Sequence, residues 1–114
     1  MDQTTAIEIS KKYLRILLQR NYPINRAILF GSYARGNQHP DSDIDLAIIM
    51  NELPDPFQTQ VELLKLTWNF NTQIEPHPFE ENDFNSTQPM INEIRQTGIE
   101  IFSRKTNEKS VISS

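Results

Sequence analysis

Two short apolar runs, separated by a polar segment that contains two glycines, constrain the fold of this chain more than any other feature. The runs are Ala27–Phe30 and Ile44–Met50, the second of which is interrupted by Asp45 alone. Apolar runs of about four to eight residues, bounded by turn residues, are typical of buried β-strands. Gly31 follows the first run directly, and Gly36 leads into a polar loop at 37–41. We therefore predict two buried strands joined by a polar, glycine-containing connection.

The remaining apolar periodicity predicts helices and shorter strands around this pair. Apolar residues recur at helical spacing from Thr4 to about Gln19, which predicts an amphipathic first helix. The further predicted elements are a helix that opens at Asp55-Pro56 and ends near Asn69, a short strand Thr72–Glu75 stopped by Pro76 and Pro78, a helix Thr87–Thr97 followed by Gly98, and a last strand Ile99–Phe102. This order predicts an α/β (α+β) fold in which a short sheet is flanked by helices.

Length and composition limit the organisation and the class of the chain. A chain of 114 residues has room for one compact domain, which we expect at 1–104, with the polar residues 105–114 as a disordered tail. The absence of cysteine excludes disulfides and thiolate metal sites, so any metal takes oxygen or nitrogen ligands. No apolar run approaches the roughly 18 residues of a membrane span, and the N-terminus lacks the plan of a signal peptide. We therefore expect a soluble, cytoplasmic protein.

The charge distribution argues against a general nucleic-acid-binding protein. Residues 1–36 carry six basic and two acidic side chains, whereas residues 37–114 carry five basic and thirteen acidic ones, for a net charge of −4. Nucleic-acid binding requires a dominant basic surface. A nucleic acid is therefore not expected as the direct substrate. The acidic surplus is typical of a solvated surface or of a site for cations.

The connection between the first two strands carries the residues that indicate chemistry. Gly31, directly after a buried strand, lets backbone N–H groups approach a phosphate, and Ser32 adds a hydroxyl at the start of the next helix. Asp43 and Asp45 stand two positions apart at the start of the second strand; if the extended backbone includes Asp43, both carboxylates project from one face, about 6.6 Å apart. Two carboxylates on a rigid strand suit Mg²⁺, which also binds substrate phosphates. The segment therefore predicts a site for a triphosphate and a divalent cation.

The segment Gly31–Leu46 also matches the pattern G-S-x-A-R-G-x5-S-D-x-D-L at every fixed position. This pattern resembles that of the minimal nucleotidyltransferase (MNT) branch of the DNA polymerase beta-like nucleotidyltransferase superfamily. The resemblance covers about residues 24–102 and implies a small nucleotidyltransferase fold with a short mixed sheet. It also implies transfer of a nucleoside monophosphate from an NTP, which we expect to be ATP, to a hydroxyl, with pyrophosphate leaving. The nucleotide-binding residues that it implies are Gly31, Ser32, Arg35 and Ser42.

The implied chemistry uses two divalent ions, which we expect to be Mg²⁺. Asp43 and Asp45 are too few for two ions, so a third carboxylate is expected from a neighbouring strand, both as a ligand and as an acceptor of the hydroxyl's proton. Glu75, at the end of the predicted short strand, is our candidate. Three other acids compete for this role: Glu52, Asp55, which fits a helix cap, and Glu62, which fits a helix surface.

Several residues near the motif have both a structural and a functional interpretation. Arg35 either binds phosphate or fixes the loop through an acid such as Asp41. Ser42 caps the loop in the structural interpretation and contacts the nucleotide in the functional one. Tyr33 either stacks on a base or packs against the first helix. His77, which stands between two prolines, either contacts phosphate or acceptor or is a partly exposed loop residue, and we favour the loop.

Three functions remain open at this stage. In the first, the chain is an active NTP-dependent nucleotidyltransferase. Something else presents the acceptor hydroxyl, because 114 residues leave no second domain to hold it. The resemblance implies a helical HEPN partner, typically an RNase toxin, which the MNT antitoxin neutralises by adding AMP to a tyrosine. In the second, the chain is a catalytically silent binding module that covers the same partner, which intact Asp43 and Asp45 disfavour. The third, RNA tailing, is disfavoured by the negative charge.

Overall fold

A computed structural model describes residues 1–104 of the chain. Its elements are α1 Gln3–Gln19, β1 Ile24–Phe30, α2 Ser32–Arg35, β2 Ile44–Met50, α3 Pro56–Lys65, β3 Ile74–Glu80, a 3-10 turn Asp83–Asn85, α4 Pro89–Thr97 and β4 Ile99–Ser103. The strands form one sheet in the order β3-β2-β1-β4. β1 is antiparallel to both of its neighbours, and β2 runs parallel to β3. The predicted α/β fold with a short mixed sheet is confirmed.

The sheet is covered on both faces, and the alternation of side chains along the central strands defines the two layers. On β1, Leu29 packs into a core that includes α1, whereas Ile28 packs into a second core that includes α4. On β2, Ile44 and Leu46 are buried in the first core. Because successive side chains of a strand point to opposite faces, Asp45 between them points to the face that α4 covers.

β3 runs through the two prolines that the sequence predicts to stop it. It continues past Glu75 to Glu80 and pairs with β2 along its whole length. It is an edge strand, and hydrogen bonds of 2.9 Å at the Gln73 carbonyl and the Glu81 N–H show that odd-numbered residues direct their backbone groups to β2. Pro76 and Pro78 therefore place their missing N–H groups on the open side of the strand, where a proline costs no ladder bond.

α3 ends at Lys65, four residues before the predicted Asn69. The N–H of Trp68 donates to the Lys65 carbonyl, and the Thr67 hydroxyl donates to the Leu64 carbonyl at 2.7 Å. Backbone bonds between residues three apart belong to a tighter turn than the α-helix, and this turn ends the helix. The apolar spacing continues to Trp68, which is why the sequence overestimates the helix. The Trp68 side chain is 77% exposed.

Gly98 allows α4 to approach the sheet closely. Its φ of −71° is open to any residue. A Cβ at this position would overlap the Ile94 carbonyl and a methyl group of Ile28. The glycine is therefore required for space, and it lets the chain leave α4 and enter β4 at the next residue.

Within residues 1–104, no helix is long and apolar enough to cross a membrane. The tail predicted to be disordered, residues 105–114, lies outside the described residues.

Candidate active site

A cavity of about 530 Å³ opens where β1 ends and where β2 and β3 begin. Its lining contains every site residue that the sequence predicts: Gly31, Ser32, Arg35, Ser42, Asp43, Asp45 and Glu75. It also contains residues that the sequence does not assign to the site: Phe30, His39, His77, Met90 and Glu93. The fold therefore brings the motif, the third acid and two histidines around one space.

The parallel pairing of β2 with β3 places three ligand-type side chains side by side. Asp45 lies opposite Glu75, and Ala47 lies opposite His77, so the three functional side chains share the face that α4 covers. The Nε2 atom of His77 is 3.3 Å from Oδ1 of Asp45 and 3.9 Å from Oε2 of Glu75. Ligand-type atoms of Asp45, Glu75 and His77 all lie within 4.8 Å of one another.

The structure changes the interpretation of His77 and leaves the ligand role of Asp43 as a prediction. His77, favoured as a loop residue, is part of β3, because the strand tolerates both prolines on its open side. Its spacing of two from Glu75 is the signal that could have placed both on one face. Asp43, predicted to ligate the same ions, lines the cavity but is outside the 4.8 Å group that Asp45, Glu75 and His77 form.

The acidic side chains of the cavity are electrostatically coupled. Partial burial, followed by repulsion from the carboxylates of Asp45 and Asp43, raises the pKa of Glu75 above its ordinary value, and His77 opposes the shift. A divalent cation would relieve this repulsion. Carboxylate oxygens and an imidazole nitrogen are established ligands of divalent cations, so the residues present fit such an ion.

The three acids that competed with Glu75 lie outside the cavity lining. Asp55 caps α3 by accepting a hydrogen bond from the N–H of Gln58 at 3.1 Å. Glu62 accepts the Tyr22 hydroxyl at 2.8 Å. Glu52 follows the far end of β2, beyond Met50, and five residues of extended chain alone separate Met50 from Asp45 by about 16 Å. Glu75 is therefore the acid that the fold places beside Asp45.

Gly31 brings the backbone against Asp45. Its φ is +77°, a backbone conformation that residues other than glycine rarely adopt. A Cβ at this position would also overlap a carboxylate oxygen of Asp45. The Gly31 carbonyl accepts the N–H groups of Ala34 and Arg35 at 3.2 and 3.1 Å, which starts α2. Ser32, the first residue of that turn, lines the cavity. The main chain of the motif therefore lies next to the acidic group.

The remaining motif residues are held by specific contacts. Arg35 pairs with Glu93 of α4, with Nη1 and Oε2 2.8 Å apart; Asp41 is the example of an acidic partner in one of its two sequence-based interpretations. The Ser42 hydroxyl accepts the His39 N–H at 2.9 Å, which fixes the loop before β2. Tyr33 is buried in the core that includes α1, so its ring packs in the interior and does not line the cavity.

Comparisons with known proteins identify the family of the chain and proteins of similar fold. The family model described as "Polymerase beta, Nucleotidyltransferase" matches residues 12–107. The chain therefore belongs to the polymerase beta nucleotidyltransferase family, and the resemblance drawn from the motif is confirmed. Members of this family are nucleotidyltransferases, so the chain belongs to a class of enzymes.

One relative and two solved structures show which individual proteins this chain resembles. MJ0141 of Methanocaldococcus jannaschii, a candidate protein adenylyltransferase, is 30% identical over an alignment of 105 positions that covers 89% of this chain and 100% of that protein. A chain from the complex of tri-AMPylated Shewanella oneidensis HEPN toxin with MNT antitoxin superposes with a TM-score of 0.60 at 18% identity, covering 94% of this chain and 77% of that one. A chain from a toxin–antitoxin structure with AMP-PNP has a TM-score of 0.63 at 23% identity, covering 86% and 77%. These two structures share the fold.

Proposed function

We propose that this chain transfers AMP from ATP to a tyrosine hydroxyl of a helical HEPN toxin and acts as its antitoxin in the cytoplasm. The observation that carries the proposal is the single cavity in which Asp43, Asp45 and Glu75 face the turn Gly31-Ser32. The comparisons support the acceptor class, because the names of these relatives combine protein adenylylation, an AMPylated HEPN toxin and an ATP analogue.

On the nucleotide side, the motif provides donors for a triphosphate. Gly31 brings the main chain to the cavity without a side chain in the way, and Ser32 adds a hydroxyl. Arg35 offers a planar, two-pronged donor that suits phosphate oxygens. Ser42 contributes by holding the loop that leads into Asp43.

On the metal side, Asp43, Asp45 and Glu75 would hold two Mg²⁺ ions, and His77 faces the same space. When bound, such ions neutralise the triphosphate and activate the attacking oxygen. The carboxylates on their own would repel the triphosphate. We therefore expect ATP to bind in the presence of a divalent cation and far more weakly in EDTA.

The transfer forms a bond between the acceptor oxygen and the α-phosphorus. It breaks the bond from the α-phosphorus to the oxygen that bridges to the β-phosphorus, and pyrophosphate leaves with that electron pair. The acceptor's proton passes to Glu75. Glu75 lines the cavity and lies opposite Asp45 in the pairing of β2 with β3, which places its carboxylate where it can accept this proton.

The experiment supplies the protein and its helical partner with ATP labelled at either the α- or the γ-phosphate. We expect α-label on the partner from the wild type and from Glu52→Gln, which changes an acid outside the cavity lining. Glu75→Gln should reduce the rate by about 10²-fold or more, as loss of a general base does. Transfer of γ-label would contradict nucleotidyl transfer. Full activity of Glu75→Gln would contradict the assignment of the third acid.

A further inference from the structure

His77 is a nitrogen donor within a group of oxygen donors, and the proposed transfer gives it no task. Its Nε2 atom lies 3.3 Å from Oδ1 of Asp45 and 3.9 Å from Oε2 of Glu75. All three side chains have a ligand-type atom within 4.8 Å of the other two. Two carboxylates and one imidazole are therefore close enough together to contact the same ion in the cavity.

The position of the imidazole is determined by the fold. His77 follows Glu75 by two residues on β3, so both side chains project from the same face. Its ring packs edge-on against Phe30, with centroids 5.1 Å apart and planes at 62°. Only 23% of the His77 side chain is exposed. The ring is therefore restrained on one side by Phe30 while Nε2 faces Asp45.

This donor set does not have the composition that Mg²⁺ prefers. Mg²⁺ is a hard cation that takes oxygen ligands and keeps several waters. Imidazole nitrogen instead favours first-row transition ions, whose affinities for mixed nitrogen and oxygen sites rise from Mn²⁺ onward. A site with one imidazole and two carboxylates is therefore expected to bind Mn²⁺ more tightly, relative to Mg²⁺, than an all-oxygen site does.

We propose that His77, Asp45 and Glu75 ligate one of the two divalent ions of the site and that this position takes Mn²⁺ in preference to Mg²⁺. Asp43, outside the group of three, is left to act with Asp45 toward the ion that accompanies the triphosphate. The inference deepens the proposed function, because it concerns the same cavity. It makes His77 a determinant of metal specificity.

The alternative is that His77 only hydrogen-bonds Asp45 and holds that carboxylate in place. The 3.3 Å contact is compatible with such a bond. The two roles differ in one observable: a ligand places a nitrogen nucleus in direct contact with the ion, whereas a positioning residue does not.

Pulsed electron paramagnetic resonance of the protein loaded with Mn²⁺ alone detects that nitrogen. His39 lines the same cavity but is outside the ligand group, so His39→Gln is the matched control. We expect nitrogen modulation in the wild type and in His39→Gln, and its loss in His77→Gln with at least about a tenfold weaker affinity for Mn²⁺. Absence of modulation from the wild type, or its persistence in His77→Gln, would overturn the proposal.

A second variant keeps the test independent of folding defects in His77→Gln. His77→Asp restores a ligand but exchanges nitrogen for oxygen, so the ratio of Mn²⁺ to Mg²⁺ affinity should fall toward that of an all-oxygen site. An unchanged ratio would contradict the assignment. Neither measurement uses ATP or the partner protein. Their failure is therefore distinguishable from failure of the proposed transfer, which the labelled-ATP experiment measures.

Discussion

At the scale of single residues, Asp45 is the point where the separate parts of the site meet. The backbone of Gly31 approaches its carboxylate from the turn after β1, while Glu75 and His77 approach from β3. A side chain at position 31, or a shift of one residue in the pairing of β2 with β3, would displace this contact. The local geometry therefore depends on residues far apart in the chain.

The close approach at Gly31 gives a prediction with an internal control. Gly31 and Gly36 both have a φ of +77°, but a Cβ at Gly36 meets nothing within 4 Å. In both alanine variants, strain in the backbone should lower the free energy of unfolding by about 1 kcal/mol or more. Only Gly31→Ala should also push the Asp45 carboxylate aside and abolish ATP binding in the presence of a divalent cation. Calorimetry of ATP binding checks this, and equal binding by the two variants would contradict the role of the close approach.

The residues of the site differ in how far the sequence could predict them. Gly31, Ser32, Asp43 and Asp45 lie in one local motif, and its chemistry can be inferred without the fold. His77 could not be placed in the same way, because prolines on either side of it indicate a loop unless the strand is known to be an edge strand. Long-range contacts between side chains are not visible in a local pattern.

At the scale of secondary-structure elements, α2 and α4 are joined across the cavity by one ion pair. Arg35 and Glu93 are partly exposed and 58 positions apart in the sequence. An exposed pair of this kind contributes about 0.2–1 kcal/mol. Phosphate oxygens of a bound nucleotide can therefore compete with Glu93 for the Arg35 guanidinium.

We expect Glu93→Gln to lower the dissociation constant for ATP by up to about fivefold, the equivalent of about 1 kcal/mol. Arg35→Gln should raise it. Glu81→Gln is the matched control, because the Arg26–Glu81 pair has a similar length of 2.9 Å and neither of its members lines the cavity. Weaker ATP binding by Glu93→Gln would show that the ion pair positions Arg35 and does not compete with phosphate.

The sequence predicts which helices and strands form better than it predicts where they end and which strands pair. β2 is predicted with its observed bounds, since Asp45 alone interrupts its apolar residues and the residues on either side are polar. The end of α3 is wrong because the apolar spacing continues into the turn that contains Trp68. The parallel pairing of β2 with β3 could not be derived from periodicity, and this pairing brings Glu75 to Asp45.

At the scale of the whole molecule, the cavity lies at one end of a sheet whose faces are both covered. Among the described elements that cover the sheet, α4 contributes Met90 and Glu93 to the lining, and the rest comes from the strands and the connection between β1 and β2. An acceptor hydroxyl must be held to within about 0.5 Å for an in-line transfer. We expect the partner protein to supply the surface that does this.

The central claim is that the partner is neutralised by covalent nucleotide addition, and the most direct measurement is the intact mass of the partner. After incubation with ATP and Mg²⁺, the wild-type chain should add whole AMP units to a HEPN-type partner and inhibit it, whereas Asp43→Asn should do neither. Inhibition without a mass change, produced equally by Asp43→Asn, would contradict the claim and identify a binding module.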